Sequence, residues 1–237
     1  MNYPLEPIAI IRTPFKEKFS TPRQPGLAPS VTANIEFLPG FATPEAVRDL
    51  DGFSHLWIIF LFHQNWQKGW QPTVRPPRLG GNKRVGIYAS RSPFRPNPIG
   101  LSSVKLLDVI CKNDQISLQV QGADLIDNTP IFDIKPYVPY SDCHPQATNG
   151  FATPPPTPMQ VEFSPAATAQ LEQCQQETPQ LKIMLQEVLS LDPRPAYQHK
   201  QNNSKEYGVL FDRYNVRWLV ENDRLVVLEI LVVNSDG

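Results

Sequence analysis

The sequence predicts a mainly β protein: a β-barrel N-terminal domain followed by a small α+β C-terminal domain. Three observations carry this. Over residues 1–140, short runs rich in β-branched and aromatic side chains recur at close spacing with one short helix among them, the pattern of a barrel or sandwich. The 237 residues include 26 prolines, many clustered between these runs, which favours short elements with rigid connections over a helical bundle. Hydrophobic residues make up 41%, enough for a proper core.

Taken in order, Leu5–Arg12 is the first strand and stops at Thr13-Pro14. Phe15–Pro29 is a loop, broken by Pro22, Pro25 and Gly26, that carries Lys16, Lys18 and Arg23. Val31–Phe37 alternates and is a strand. Thr43 followed by Pro44 reads as an N-cap with proline at the first helical position, so a short helix runs to about Leu50. Phe53–Phe62 is a central buried strand, and its apolar run is far too short to span a bilayer. Gly69–Asn82 is a basic loop rich in proline and glycine, and Lys83–Ala89 is a strand. Leu101–Ile110 and Gln115–Gly122 pair as a hairpin around Lys112-Asn113-Asp114; Asp124–Pro130 is a turn segment, and Ile131–Lys135 is a strand that Pro136 ends.

At Ser141–Thr157 the composition shifts to Ser, Pro, Thr, Gly and Ala, the mark of a linker. The division is therefore 1–140, linker 141–157, and 158–237. In the last part Ser164-Pro165 and Thr178-Pro179 each have the form of a helix start, with ends near Glu177 and Leu191. Gly208–Phe211, Asn215–Val220 and Arg224–Val233 form a small antiparallel sheet.

The segment Ser90-Arg-Ser-Pro-Phe-Arg-Pro-Asn-Pro-Ile-Gly-Leu-Ser102 is the most telling. Pro93, Pro96 and Pro98 fix φ, remove donors and push the residues before them toward extended geometry, so this is a stiff irregular loop. It holds Arg91 and Arg95 with little entropy left to lose, which suits an anionic or polar ligand; a rim loop with two solvated arginines is the alternative.

Net charge is −1, so nothing global points to nucleic acid, but the distribution does. From Gly52 to Leu107 there is no Asp or Glu, while Lys68, Arg75, Arg78, Lys83, Arg84, Arg91, Arg95 and Lys105 lie there. Such a one-sign block is a footprint for an anion such as RNA, unless the fold scatters the side chains over different faces. The three cysteines, Cys111, Cys143 and Cys174, have neither metal-ligand nor disulfide spacing, so no metal is expected and a reducing cytoplasm is. No secretory signal pattern is visible at the N-terminus. No Gly-x-Gly-x-x-Gly or Walker-type Gly-Lys-Ser/Thr is found, which argues against Rossmann dehydrogenases and methyltransferases. His55 is expected to be structural. His63 stands at a strand end beside Gln64, a better place to touch a ligand. Asp127-Asn128-Thr129-Pro130 is a good turn, in which Asp127 and Asn128 either only cap or also bind.

Arg91-x-x-x-Arg95-Pro-Asn-Pro-Ile-Gly-Leu-Ser102, Asp127-Asn-Thr-Pro130 and Asp133-Ile-Lys-Pro-Tyr137 together resemble the TsaA-like family of β-barrel tRNA methyltransferases. Pro22-Arg-Gln-Pro-Gly-Leu27, Phe53-Ser-His-Leu-Trp57 and Arg75-Pro-Pro-Arg-Leu-Gly-Gly81 extend the match over most of residues 3–140. Asp192-Pro-Arg-Pro-Ala-Tyr197 and Val216-Arg-Trp218 are similar to the extra domain of bacterial members. One departure is Asn128, where the family usually has Gly; Asn also tolerates left-handed backbone, so the turn should survive.

The resemblance implies a dimeric cytoplasmic enzyme, free of membrane, that moves a methyl group from S-adenosylmethionine to N6 of N6-threonylcarbamoyladenosine 37 of tRNA. It implies a cofactor site at Arg23, Gln24, Pro25, His63, Gln64, Arg91, Leu101, Ile126, Asp127, Asn128 and Thr129. RNA contacts are expected from Arg75, Arg78, Lys83, Arg84, Arg95, Arg194 and Tyr197, although Tyr197 and Trp218 could instead fill a small core. Asp127, Asp133 and His63 are candidates for taking the N6 proton, and positioning without a base is the alternative. Two competing readings are a non-catalytic RNA-binding barrel and an S-adenosylmethionine-dependent methyltransferase of another substrate.

Overall fold

A computed structural model of the chain describes residues 3–112, 115–152, 156–194, 198 and 205–233. Its first half is a closed antiparallel barrel of β1 (Ala9–Arg12), β2 (Thr32–Phe37), β3 (His55–Leu61), β6 (Ile99–Lys112), β7 (Gln115–Gln121) and β8 (Thr129–Pro136), in the order β1-β2-β7-β6-β3-β8. Pairing of β1 with β8 closes the ring, leaving no free edge. The protein is mainly β, as the spacing of the runs predicts.

Strand alternation fills the barrel. Leu56, Ile58 and Phe60 of β3, Val104 and Leu106 of β6, Ile116, Leu118 and Val120 of β7 and Ile131 of β8 are buried together with Ile11 and Ile35. Each such side chain contributes about 1.5–3 kcal/mol on burial. Phe60 lies opposite Gly100 in the β3–β6 register, and a Cβ on Gly100 would stand 2.2 Å from the ring's Cζ. Only glycine leaves room for this ring. Gly100→Ala is expected to cost about 1–3 kcal/mol through overpacking, read as a lower melting temperature. The double variant Gly100→Ala/Phe60→Leu should recover part of the loss; no recovery would show that the clash is not the cause.

Several elements differ from the sequence reading. The segment after Thr43 forms two 3₁₀ turns, Pro44–Val47 and Leu50–Gly52, and Thr43 makes no side-chain cap. Lys83–Ala89 shrinks to β5 (Val85–Gly86), which pairs with β4 (Thr73–Val74) and is followed by a 3₁₀ turn at Ile87–Ala89. The stiff loop ends at Pro98: β6 begins at Ile99, once the last proline no longer blocks a ladder donor. Asn128 takes the expected left-handed turn, with φ 61°.

The stretch read as a linker holds a short helix, α1 (Pro139–Asp142), whose Asp142 carboxylate accepts from the Trp57 indole at 2.8 Å. Beyond it, β9 (Gln160–Phe163) escaped the sequence reading. It runs parallel to β12 (Arg224–Val232) in a mixed sheet of order β10-β11-β12-β9, where β10 is Tyr207–Phe211 and β11 is Tyr214–Glu221. Ser164 caps α2 (Pro165–Cys174), accepting from Ala167 N at 3.0 Å. Helix α3 starts late, at Leu181, because the Thr178 hydroxyl is bound to Tyr214 at 2.7 Å instead of capping; it ends at Ser190.

Packing does not follow the division drawn at residues 141–157. The loop after β1 sends Phe15, Ala28 and Val31 into the core formed by α2, α3 and the C-terminal sheet. Phe19 stacks on Tyr207 and Trp218, with centroids 6.1 and 6.0 Å away. Asp212 N–H donates to Pro14 O at 2.7 Å, and Glu187 accepts from the backbone N–H and hydroxyl of Ser30 at 2.8 and 2.6 Å. Trp218 is wholly buried, so the core reading of that residue holds.

Candidate functional site

The loop following β1 and the proline-rich loop before β6 face each other across a groove of about 1500 Å³. Arg23 and Gln24 come from the first loop, Arg75, Arg78, Arg84 and Arg91 from the second, and Asp192 stands on the C-terminal side. The first loop is fixed where Gly26 N–H donates to Gly122 O at 2.8 Å beside the end of β7. Across the groove the Arg91 guanidinium donates to Gln24 Oε1. Burial pulls the Arg23 pKa down, Asp192 opposes this and Arg78 adds to it. An arginine keeps its charge regardless, so the groove is a cationic, partly desolvated channel suited to phosphates.

A second cavity of about 180 Å³ opens beside it, and Lys18, Thr21 and Pro93 line the two in common. Its walls are Phe60, Leu61, Phe62, Leu125 and Ile126, with His63, Gln64, Asn65, Asp124 and Thr129 as polar groups. Burial, followed by the charge of Lys18, holds the His63 pKa below its ordinary value, so the ring is neutral near pH 7. The Thr129 hydroxyl donates to Ile126 O at 2.6 Å and stands 3.3 Å from His63 Nδ1. Its proton being spent, it accepts from Nδ1–H, which leaves a lone pair on Nε2. Asp124 is pushed up to about 6, chiefly by burial, while Ser102 Oγ donating at 2.6 Å pulls it down. At neutral pH it is mostly an anion in an apolar wall, a place that favours a cation.

Of the expected cofactor residues, the fold brings Arg23, Gln24 and Arg91 to the groove and His63, Gln64, Ile126 and Thr129 to the cavity. The others stand elsewhere. Leu101 is 55% exposed on the outer face of β6, Pro25 does not line the groove, and Asp127 and Asn128 build the turn. Asp127 accepts from Thr13 N at 3.0 Å and from Lys16 Nζ at 2.9 Å, and Asn128 Oδ1 accepts from Arg12. Asp133 lies on β8 paired with Lys135 at 2.7 Å, so His63 alone of the three proton-acceptor candidates lines the cavity.

Among the expected RNA contacts, Arg75, Arg78 and Arg84 share the groove; Lys83 and Arg95 do not line it. Arg95 instead braces its own loop, donating to Ser90 O at 2.7 Å and Ile87 O at 3.2 Å. Arg194 is a correction: it is 3% exposed and donates to Asp192 through Nε at 2.8 Å and Nη2 at 2.9 Å, so it holds the chain end of α3 and not a phosphate. Tyr197 lies outside the described residues. Sequence reasoning missed Asp124 as a site residue, although one acid between Ala123 and Leu125 in an apolar stretch was a signal. It also missed Asn65, which had none, and gave Lys18 no role. Among the described residues no cluster of His, Cys, Asp and Glu could hold a metal, and no helix is long and apolar enough to cross a membrane.

Known proteins are similar to this chain in sequence and fold. The family model described as the tRNA-methyltransferase O N-terminal domain matches residues 10–143, and that of the TrmO C-terminal domain matches residues 156–233. The Escherichia coli (strain K12) protein named tRNA (adenine(37)-N6)-methyltransferase is 46% identical over 220 residues, spanning 92% of this chain and 94% of its own. A Pseudomonas aeruginosa protein named "Putative S-adenosylmethionine-dependent methyltransferase RcsF" is 43% identical over 219 residues, 92% of this chain and 93% of its own. The crystal structure of TrmO from Pseudomonas aeruginosa superposes with a TM-score of 0.81 at 36% identity, covering 98% of this chain and 99% of that one. With both family models matched in order across barrel and C-terminal sheet, the chain belongs to the tRNA-methyltransferase O family.

Proposed function

We propose that this protein methylates N6 of adenosine 37 in tRNA with S-adenosylmethionine as donor, and that the base it takes is N6-threonylcarbamoyladenosine. The observation that carries the reading is the continuity of the two clefts. A cationic groove fit for a phosphate backbone opens, past Lys18, Thr21 and Pro93, onto a small apolar cavity that holds one neutral imidazole and one buried carboxylate.

The residues fit the cofactor. Phe60 and Phe62 offer ring faces and edges, and Asp124 offers a buried anion, to a ligand that carries both a sulfonium and an ammonium. Arg91, Gln24 and Arg23 would hold its polar end where the groove begins. The bound cofactor supplies an electrophilic methyl group. The chain supplies alignment, exclusion of water and a proton acceptor. An adenine N6 joined to a carbonyl is a weak nucleophile with an acidified N–H. The free lone pair of His63 Nε2, kept unprotonated by burial and Lys18, is the group in the cavity suited to take that proton.

A cytoplasmic homodimer belongs to the same reading. Leu101 pairs across the ladder with Ile59 on the outer face of the barrel, an apolar strip that a second copy would cover. The test is direct. Purified protein, S-adenosylmethionine and tRNA from a strain lacking the corresponding gene should yield N6-methylated threonylcarbamoyladenosine by nucleoside mass spectrometry. Methylation of another nucleoside, or none, would overturn the reading.

A further inference from the structure

Lys18 stands where the groove and the cavity meet and lines each of them. Its ammonium donates to Asn65 Oδ1, and among the described residues no carboxylate pairs with it. By contrast, the neighbouring Lys16 has Asp127 at 2.9 Å, and Arg12 has Glu36 at 2.9 Å. Burial, followed by the charge of Lys68, destabilises the Lys18 ammonium, and among the described residues no carboxylate stands within ion-pair distance to offset this.

Asn65 is built to hold this cation. It is 4% exposed, and its backbone is locked in the 3₁₀ turn after β3: its N–H donates to Phe62 O at 2.8 Å, and its C=O accepts from Lys68 N at 3.0 Å. An ammonium only donates, so the amide must turn Oδ1 to Lys18. Its Nδ2 is then left buried with no partner. A buried amide kept in this state, at the end of a barrel strand, fixes the position of one ammonium at the joint of two clefts.

We propose that Lys18, positioned by Asn65, is a carboxylate-binding subsite that receives an amino-acid carboxylate at the junction of the two clefts. The inference rests on the function proposed above, which brings two such groups to this place: the methionyl carboxylate of the cofactor and the threonyl carboxylate of the modified base. The remaining protons of the ammonium are free for either. A charge-assisted contact of this kind, in a partly desolvated pocket, discriminates strongly against a ligand that lacks the charge.

Two comparisons separate the sources. For the cofactor, calorimetry compares S-adenosylmethionine with decarboxylated S-adenosylmethionine. For the substrate, single-turnover rates compare an anticodon stem-loop carrying threonylcarbamoyladenosine with the same stem-loop carrying the threoninamide form. The wild type should prefer the free carboxylate by roughly tenfold or more in one of the two arms. Lys18→Gln should bring that ratio close to one, and Lys18→Arg should keep most of it; the arm that collapses names the source. Ratios unchanged by Lys18→Gln in both arms would overturn the subsite. A wild type that binds S-adenosylmethionine but methylates neither stem-loop would defeat the reading of the function, and the cofactor arm would still decide the subsite.

Discussion

A chain ending at Ala152 should lose cofactor binding as well as methyl transfer. The division drawn from the sequence at residues 141–157 would leave a barrel able to bind S-adenosylmethionine without its C-terminal partner. Packing argues against this. Phe15 is 0% exposed, meets Phe211 edge-on with centroids 5.8 Å apart, and shares a backbone bridge with it. Phe19, Ala28 and Val31 enter the same core, and Glu17 accepts from Leu210 N at 3.1 Å. Each large side chain stripped of this cover forfeits about 1.5–3 kcal/mol of burial. Two or three of them are a large fraction of a typical stability of about 5–15 kcal/mol. The loop they anchor is the one that presents Lys18, Arg23 and Gln24. With its anchors gone, the groove loses one wall and the entrance to the cavity. Calorimetry on the truncated protein should detect no binding. Because truncation could also unfold the barrel, Phe211→Ala in the full chain is the second measurement. It lies outside both cavities and should cost about 3–5 kcal/mol in denaturant unfolding while weakening cofactor affinity. Wild-type affinity in the truncated chain would refute the coupling.

The same contacts explain what could and could not be read from the sequence. Strand alternation fixes which residues of β7 point inward, so Leu118 and Val120 were legible as core, whereas the unbroken apolar run of β3 did not show that Leu56, Ile58 and Phe60 are its inner face. The prolines at 93, 96 and 98 made the stiff loop legible, and Ser164-Pro165 did the same for the start of α2. What stayed hidden depends on distant partners. Thr178 has the sequence of a cap but spends its hydroxyl on Tyr214. Asp127, read as a ligand residue, also ties the turn to Thr13 and Lys16, over a hundred positions earlier in the chain, which no local spacing shows. Arg194 has the charge of an RNA contact, yet the turn after α3 folds Asp192 back on it. Phe15 and Phe19 sit in a segment whose prolines and glycine mark a surface loop, and nothing local says that a sheet built two hundred residues later will cover them. The family's motifs carried the function where spacing alone left several readings open.

Replacing Arg75, Arg78 and Arg84 together by Ala should weaken tRNA binding strongly and flatten its salt dependence. These three come from a stretch with no acid, and the fold keeps them on one wall of the groove. The acid-free block is therefore not scattered over the surface where it matters: Lys83 and Arg95 diverge, but the arginines beside Arg91 converge. Each phosphate neutralised releases about 0.7 counterion on a single strand and about 0.9 on a duplex, so losing three contacts should reduce the slope of log affinity against log salt by about 2–3. Arg84 donates to Thr73 Oγ1 at 2.8 Å and Arg78 to Ala152 O, so the loop keeps its β4–β5 ladder and the cofactor affinity should change little. Lys83→Ala is the control outside the groove and should leave the slope near that of the wild type. Filter binding across a salt series measures the quantity. A triple variant with the wild-type slope would mean that these guanidinium groups do not meet phosphates.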